Sequence, residues 1–266
     1  MKIISMVIVH WSMDDNRSKI LRKSLNSLFP TIKNFPVELI IVDNGGNLED
    51  SKYLLNLAEE GKVNTYIRNA QNMSFGYARN QALRVCNGDY ICIADNDIEY
   101  QEGWLEACLD VLGAYPDRKI WATPIYNVAH WLPKYWVEEK LKVKDMTYHL
   151  NFRAGSNCWV MRREDFEEVG EFLIHRVAGT KWTEEAMEKH YVGALPPYTM
   201  IKDLGFREGY RYHEAPSIKI VLSNGKEVYF NQDEYRRNNS SLFYLEQRRF
   251  NPKPNIRFKR ELEARR

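Results

Sequence analysis

The sequence predicts an α/β fold in which a mostly parallel sheet is flanked by helices. The first half of the 266-residue chain alternates short runs of β-branched and apolar residues with segments of helical periodicity. Elements that alternate in this way usually form parallel strands joined by helical crossovers. Hydrophobic residues make up 44% of the chain and aromatic residues 13%, which is sufficient for a sizeable core.

The elements of the first half follow from apolar spacing and turn residues. Four short segments rich in β-branched and apolar residues are predicted strands: residues 3–9, 37–42, 63–68 and 90–94. Four segments with helical periodicity are predicted helices: residues 17–28, 51–60, 78–85 and 103–115. We expect Pro30 to end the first helix and Gly61 to stop the second, because these residues commonly follow helix ends.

The second half of the chain is less regular. Residues 157–161 are a predicted strand and residues 163–169 a short helix stopped by Gly170. Residues 171–200 look like a loop-rich insertion with one helix around residues 184–190. A hairpin is predicted from two strand-like runs, residues 218–222 and 227–230, which flank an Asn-Gly turn.

Composition argues against several classes of protein. No stretch approaches the roughly 20 consecutive apolar residues of a membrane span, and the first residues lack the features of a signal peptide. The four cysteines form no CxxC pair and have no zinc-like spacing, so reduced, buried thiols are expected. Together these observations predict a soluble cytoplasmic protein.

Positive charge is concentrated at the end of the chain. The net charge is only +2, yet residues 236–266 hold ten Arg or Lys against three Glu. Such a basic extension can contact a phosphate-rich partner, a membrane surface or nucleic acid. A solvated terminal helix packed on the acidic remainder of the chain explains it equally well, so both interpretations stay open.

The triplet Asp95-Asn96-Asp97 directly follows the predicted strand at residues 90–94. Side chains at the carboxyl end of such a strand project into the crevice where open α/β sheets bind ligands. Two carboxylates one residue apart offer the oxygen ligands that a hard divalent cation prefers, and the cation can in turn hold a diphosphate. A surface turn is the alternative interpretation of the triplet.

Three other segments are expected to meet the triplet at the same edge of the sheet. They are the end of strand one (VIVHWS, residues 7–12), the end of strand two (IIVDNGG, residues 40–46) and a helix opening (NMSFGYARN, residues 72–80). The carboxyl ends of parallel strands share one edge, where a nucleotide is expected to bind.

In their order and spacing these four segments resemble the nucleotide-sugar domain of family 2 glycosyltransferases, which have the GT-A fold. The resemblance covers about residues 3–100 and a further patch near residues 155–172. It implies a GT-A domain over residues 1–230, with a nucleotide-sugar half (1–100) and an acceptor half (101–230), followed by a basic extension (231–266). It also implies a metal-dependent transfer of a sugar from a nucleoside diphosphate, most plausibly UDP, to a hydroxyl acceptor.

For the donor side, the resemblance and the residue chemistry give a set of candidate residues. Asp43 is expected to accept a hydrogen bond from the uracil N–H, although an Asx turn would explain it as well. Gly76 is expected to let the backbone approach a ligand closely. Within this donor set His10 and Trp11 are expected to border the base and ribose, and Arg79 is expected to pair with the diphosphate or with Asp95. The full donor set is Val9, His10, Trp11, Asp43, Asn72, Gly76, Arg79, Asp95 and Asn96.

The same resemblance gives the metal and acceptor residues. Asp95, Asp97 and His213 are the expected ligands of Mn²⁺ or Mg²⁺, and Asp97 is also counted as catalytic. Glu185 is the leading candidate for the base of an inverting reaction, and Asp203 is a second. If neither serves, the reaction is expected to retain configuration. An ordinary helix start at Thr183 would also explain the acidic residues Glu184 and Glu185 that follow it.

The expected acceptor residues are Asn157, Trp159 and Trp182.

Several functions remain open on the sequence alone. The acceptor can be a glycan, a lipid-linked sugar or a hydroxylated DNA base, the last favoured by the basic extension. A nucleotidyltransferase would also place a metal at this edge, but such enzymes usually carry a glycine-rich loop after strand one, where this chain has HWSMDDN. A non-catalytic relative that binds sugar nucleotides is the remaining alternative.

Overall fold

The computed structural model of the chain describes residues 2–12, 15–124, 136–151, 157–173, 178–204, 218–221 and 227–230. The described helices are α1 (Asp15–Ile32), α2 (Leu48–Glu59), α3 (Phe75–Leu83), α4 (Trp104–Ala114), α5 (Arg163–Val169) and α6 (Ala178–Glu188). The described strands are β1 (Ile4–His10), β2 (Val37–Asn44), β3 (Thr65–Asn69), β4 (Tyr90–Ala94), β5 (Ile98–Tyr100), β6 (Ile120–Ala122), β7 (Trp136–Val143), β8 (Met146–Asn151), β9 (Cys158–Arg162), β10 (Val192–Leu195), β11 (Ile201–Asp203), β12 (Ile218–Val221) and β13 (Glu227–Phe230).

Nine strands form one mixed sheet in the order β3-β2-β1-β4-β9-β6-β10-β8-β7. β1 pairs in parallel with β2 and β4, and β2 pairs in parallel with β3. β9 runs antiparallel to β4 and β6. The predicted α/β class is therefore confirmed. The four parallel strands end together at one edge, here called the carboxyl rim, which comprises His10, Asp43, Asn69, Ala94 and the residues that follow them.

Both faces of the sheet are covered by packed side chains. Successive residues of a strand point to opposite faces, so Ile8 joins a core with Leu21 of α1 while Val7 joins a second core with Trp182 of α6. A largely parallel sheet needs this cover on both faces. As a result, the carboxyl rim is the part of the parallel strands that remains open to a ligand.

Two predicted helix boundaries were wrong. α1 continues through Pro30 to Ile32. Proline cannot donate the backbone hydrogen bond of a helix, but only two residues follow it, and the buried side chains of Leu28 and Ile32 pack this end of the helix against the core. α6 begins at Ala178 rather than near residue 184, so Thr183 lies inside the helix and is not its start.

Packing against the second core explains the early start of α6. Ala178, Trp182 and Ala186 are spaced four residues apart and are each at most 1% exposed. Residues at i, i+4 and i+8 share one face of a helix. The apolar pattern of α6 therefore begins six residues before the helix that the sequence predicted.

Other predicted elements were confirmed, and several strands were missed. β4 and α5 have the predicted bounds, and β12 pairs with β13 as an antiparallel hairpin. The sequence did not predict β5 and β11, which form a two-stranded sheet with Asp203 opposite Ile98. It also did not predict the hairpin of β7 and β8. β5 and β11 have three residues each, and each depends on a partner about 100 residues away in the chain.

Gly76 allows α3 to pack closely on another part of the chain. A Cβ atom at this position would overlap the carbonyl oxygen of Leu173 and crowd the Cβ of Ala178. Gly76 was expected to let the backbone approach a ligand. The close neighbour in the structure is instead the backbone of Leu173, in the segment before α6.

Replacing Gly76 by alanine is expected to destabilise the protein by about 1–3 kcal/mol, because two backbones would have to separate. Gly113 is a matched control: it lies in α4, and a Cβ there would meet no atom within 4 Å. G113A is expected to raise stability by up to about 1 kcal/mol, because alanine favours helix. Urea unfolding of both variants measures the difference, and equal stabilities would contradict this account of Gly76.

Candidate active site at the carboxyl rim

Strand pairing brings the four predicted segments together at the carboxyl rim. His10 lies beside Asp43 in the register of β1 and β2. The backbone N–H of Asp95 donates to the carbonyl of Asn157, which precedes β9, over 2.7 Å. The helix opening is tied to β2 because the N–H of Met73 donates to the side chain of Asn44 over 3.0 Å. The arrangement predicted from the sequence is therefore present.

Each carboxylate of the acidic triplet is paired with an arginine. Arg79 Nη2 lies 3.0 Å from Asp95 Oδ1, and Arg17 Nη1 lies 2.8 Å from Asp97 Oδ2. The arginine side chains are 1% and 8% exposed, whereas Asp95 is 28% and Asp97 13% exposed. The charges of the two carboxylates are thus balanced by the two arginines. In each ion pair the carboxylate is more exposed to solvent than the arginine.

Aromatic rings hold Arg79 in place. Its guanidinium carbon lies 3.6 Å from the centre of the Phe75 ring and 5.0 Å from that of Phe172, distances at which a cation is attracted to a ring face. Nε and Nη1 of Arg79 are buried without a hydrogen-bond partner. Burial lowers the pKa of Arg79 to about 10 against the opposing effect of Asp95, so the side chain stays charged at neutral pH. A fixed cation therefore stands behind Asp95.

A third carboxylate lies near the triplet. Burial raises the pKa of Asp95, and the negative charges of Asp97 and Asp203 raise it further, while Arg79 opposes them. Asn157 Nδ2 lies 3.4 Å from Asp203 Oδ2, and the N–H of Leu204 donates to the carbonyl of Asp97 over 2.7 Å. The pairing of β5 with β11 thus brings Asp203, the second candidate for the base, to the rim.

The structure corrects the role expected for His10. The imidazole is fully buried, so it does not border a nucleotide base by stacking. Its Nε2 lies 3.0 Å from Asp50 Oδ2 and its Nδ1 lies 2.7 Å from the side-chain amide of Asn96. Because a carboxylate only accepts and an amide nitrogen only donates, these partners assign the Nε2–H tautomer. His10 thereby links the triplet to the start of α2.

Asp50 is the centre of a buried polar network beneath the rim. It accepts hydrogen bonds from Ser18 Oγ over 2.7 Å and from Arg22 Nη1 over 2.8 Å, in addition to its contact with His10. Its backbone N–H is capped by the side chain of Asn47. Burial alone would raise the pKa of Asp50, but the hydrogen bonds from His10, Ser18 and Arg22 lower the pKa well below 3.8.

Asp43 holds a turn at the end of β2. Its Oδ1 accepts from the N–H of Gly46 over 2.7 Å, and its Oδ2 accepts from Ser51 Oγ and from the Tyr66 hydroxyl over 3.0 Å. The turn interpretation is therefore confirmed. Burial and the adjacent carboxylate raise the pKa of Tyr66 to about 12. The carboxylate is also fully buried, and Arg68 Nε lies 3.5 Å from Oδ2, so a base N–H would reach Asp43 only if this turn opened.

Other predicted donor residues have structural contacts. The side-chain oxygen of Asn72 accepts from Asn44 Nδ2 and from the N–H of Ser74, each over 3.0 Å. Val9 lies in the buried part of β1, at 6% exposure, and Trp11 just beyond the strand is half-buried. Trp11 is thus the better placed of the two to contact a ligand.

Two predicted acceptor residues are in the hydrophobic core. Trp159 and Trp182 are 2% and 0% exposed, and their ring centroids are 4.2 Å apart. Trp182 also stacks on Phe166 and donates from Nε1 to the carbonyl of Gly170 over 2.8 Å. The prediction that these indoles line an acceptor pocket was wrong, because they fill the space between the sheet and α6. Asn157, by contrast, lies at the rim.

Glu185 is not brought to the carboxyl rim. α6 starts beside Gly76, at the opening of α3. It then runs away from the carboxyl rim, because Val192, which follows α6, donates its N–H to the carbonyl of Lys119 just before β6, at the opposite edge of the sheet. With a rise of about 1.5 Å per residue, Glu185 lies roughly 10 Å along the helix from Ala178. The structure therefore does not support Glu185 as the base.

Some predicted features lie outside the described residues. They are His213, the turn of the C-terminal hairpin and the basic extension at residues 231–266. Among the side chains that the structure does describe, no group of three or more Asp, Glu, His or Cys residues is arranged to hold a metal ion. None of the six described helices has both the length and the apolar character that a membrane crossing requires.

Comparison with known families settles which family this fold and site represent. Residues 16–170 match the model of glycosyl transferase family 2, which is more than half of the chain. The chain belongs to glycosyl transferase family 2. The resemblance inferred from the four rim segments is thus confirmed.

Curated relatives of this family 2 member are longer proteins. A candidate polypeptide N-acetylgalactosaminyltransferase 13 of Drosophila melanogaster is 29% identical over an alignment of 278 positions, which covers 87% of the chain and 48% of that protein. The chondroitin synthase of Pasteurella multocida is 29% identical over 101 residues, 36% of the chain and 10% of that protein. The chain spans about half, or less, of the length of these relatives.

Solved structures of glycosyltransferases share the fold. GalNAc-T7 with UDP, GalNAc and Mn²⁺ aligns with a TM-score of 0.59 at 13% identity, covering 76% of this chain and 43% of that one. The mannosyltransferase PcManGT from Pyrobaculum calidifontis, in complex with GDP-Man and Mn²⁺, aligns with a TM-score of 0.55 at 16% identity, covering 78% and 58%. At these identities the likeness shows the GT-A fold alone.

The sequence predicted the pairing of Arg79 with Asp95, which the structure has, but not the other charged groups at and beneath the rim. Arg17 and Arg22 lie on α1, and Asp50 lies on α2, so none belongs to the quoted motifs. One signal could have identified Asp50: the Asn47-x-x-Asp50 spacing is that of a helix start in which the cap residue bonds the residue three positions later. No comparable signal marks Arg17, because its partner is 80 residues away.

Replacing Asp50 by asparagine is expected to destabilise the protein by about 3 kcal/mol at pH 7, because Arg22 loses its counter-charge and His10 and Ser18 lose a buried, charged hydrogen-bond acceptor. Since the folded-state pKa of Asp50 is lowered, the stabilisation is present above 3.8 and is lost as the pH falls below that value. Urea unfolding at pH 7 and at pH 3 measures both effects.

D110N is the matched control, because Asp110 pairs with a lysine that is 61% exposed. Its effect on the free energy of unfolding is expected to stay below about 1 kcal/mol. The account would be contradicted if D50N lost as little free energy of unfolding as D110N, or if the loss for D50N did not decrease with falling pH. Either result would mean that the Asp50 network does not contribute the proposed stability.

Proposed function

We propose that this family 2 member is a metal-dependent glycosyltransferase that moves a sugar from a UDP-linked donor to a hydroxyl acceptor. The observation that carries the proposal is the meeting of Asp95, Asp97 and Arg79 with Asp43 at one rim of the sheet. Acidic, cationic and base-binding groups are all required to hold a nucleoside diphosphate at such an edge.

The donor set fits a hard divalent cation. Asp95 and Asp97 present carboxylate oxygens, the ligand type that Mg²⁺ and Mn²⁺ prefer. Such cations are commonly bound by one or two carboxylates together with substrate phosphates, so a protein site with fewer than three converging ligands is compatible. Asp95 and Asp97 would hold the cation, with Asp203 beside them. When bound, the cation would neutralise charge on the departing diphosphate.

The protein groups around this position have separate tasks in the proposal. Arg79, clamped between two rings, supplies a second positive charge near the diphosphate. Asp43 would accept from the uracil N–H once the turn that buries it opens, and Trp11 would cover the base or ribose. The network of His10 and Asp50 orients Asn96, and thereby the loop that carries both carboxylates.

The structural neighbours support the choice of donor and metal. GalNAc-T7 was solved with UDP and Mn²⁺, and PcManGT with GDP-Man and Mn²⁺. The acidic triplet and Asp43 of this chain have the chemistry that such ligands require. On the acceptor side, Asn157 and Asp203 are the polar residues that β9 and β11 place next to the triplet. We propose a glycan or a lipid-linked sugar as the acceptor class.

Isothermal titration calorimetry of UDP, with and without Mn²⁺, tests the proposal. UDP is expected to bind only when Mn²⁺ is present, and D97N is expected to weaken binding at least roughly tenfold through loss of a charged ligand. D110N changes a carboxylate distant from the rim and should bind as the unaltered protein does. UDP binding that is independent of both Mn²⁺ and Asp97 would refute the metal-dependent site, and absence of binding by UDP and GDP would refute the donor.

A further inference from the structure

The ion pair of Arg17 and Asp97 occupies a carboxylate that the proposed function assigns to the metal. Arg17 Nη1 donates to Asp97 Oδ2 over 2.8 Å, and both side chains are largely buried. A charge-assisted bond of this length is among the stronger hydrogen bonds in proteins. A divalent cation must therefore compete with an internal cation for Asp97.

The helix that carries Arg17 is fixed against the strand that follows the triplet. Ser24 Oγ of α1 accepts from the N–H of Ile98 over 3.3 Å, and Ser27 Oγ accepts from the N–H of Tyr100 over 3.0 Å. Leu21, Leu25 and Leu28 of α1 also lie in the core. Arg17 therefore cannot leave Asp97 by movement of α1. It has to reorient its own side chain.

The two arginines at the triplet differ in their surroundings. Arg79 is held between the rings of Phe75 and Phe172 and is 1% exposed. Arg17 is on the first turn of α1, at the open end of the sheet. Planar guanidinium groups bind phosphate oxygens as readily as carboxylates. A diphosphate at the rim would therefore offer Arg17 a replacement partner.

We propose that Arg17 is an internal counter-ion that competes with the divalent cation for Asp97 in the free protein and transfers to the donor diphosphate when cation and nucleotide bind together. The inference rests on the proposed metal and nucleotide site. Its consequence is that the free protein binds the cation weakly, because a like charge lies next to the ligand, while nucleotide and cation each strengthen the binding of the other.

Electron paramagnetic resonance of free Mn²⁺ tests this directly without an activity assay. Without nucleotide, R17Q is expected to bind Mn²⁺ about tenfold more tightly than the unaltered protein, the scale of one charge interaction near a protein surface. Addition of UDP or GDP should then strengthen Mn²⁺ binding less in R17Q than in the unaltered protein. R17M, which removes the charge and keeps an apolar stem, should give the same result if R17Q folds poorly.

Two controls separate a charge effect at Asp97 from a general one. K19Q removes a positive charge from the same helix at an exposed residue that the proposed function does not use, so Mn²⁺ affinity should equal that of the unaltered protein. In a D97N background, R17Q should have no effect on Mn²⁺ binding, because the contested ligand is gone.

The possible failures are distinguishable. If the unaltered protein binds Mn²⁺ in the presence of UDP or GDP, but neither R17Q nor R17M binds Mn²⁺ more tightly without nucleotide, the role of Arg17 is overturned and the proposed function stands. If the unaltered protein binds no Mn²⁺ even with UDP or GDP, the proposed function and the role of Arg17 fall together.

Discussion

Neutralisation of buried charge at the carboxyl rim is the constraint on which the candidate site depends. Asp50, Asp95 and Asp97 are carboxylates withdrawn largely from water, and burial of an unpaired charge costs several kcal/mol. Each is paired with a positive side chain supplied by a helix, from α1 for Asp50 and Asp97 and from α3 for Asp95. The positions of these helices and the positions of the acidic groups therefore determine each other.

Hydrophobic packing makes that charge arrangement rigid on one side. The ring of Phe172 contacts Arg79, and its backbone exchanges two hydrogen bonds with the side chain of Asn80. Gly76 allows α3 to approach the next residue, Leu173. The segment after α5 is thus tied to α3 by backbone, amide and ring contacts together. Phe172 ends the patch near residues 155–172 that resembles the family. Its ring helps to hold a cation behind Asp95 and packs on Trp182 in the core.

The sequence predicted features that depend on local order and missed those that depend on distant partners. Strand ends, the acidic triplet and their common edge follow from periodicity and from the rules of parallel sheets, and the structure has them. His10 was expected to border the base, and the family resemblance assigned Trp159 and Trp182 to the acceptor pocket, but the burial of these residues is decided by which helix packs over them. Arg17 and Asp203 reach the triplet through contacts that span 80 residues or more, and no local pattern encodes them.

A crystal structure with UDP and Mn²⁺ tests the central claim most directly, because the anomalous signal of manganese locates the cation independently of the model. The account predicts one manganese peak in contact with the Asp95 and Asp97 carboxylates and with both phosphates, the uracil beside Asp43, and Arg17 on phosphate rather than on Asp97. A manganese peak distant from the triplet, or a nucleotide bound away from the carboxyl rim, would contradict it.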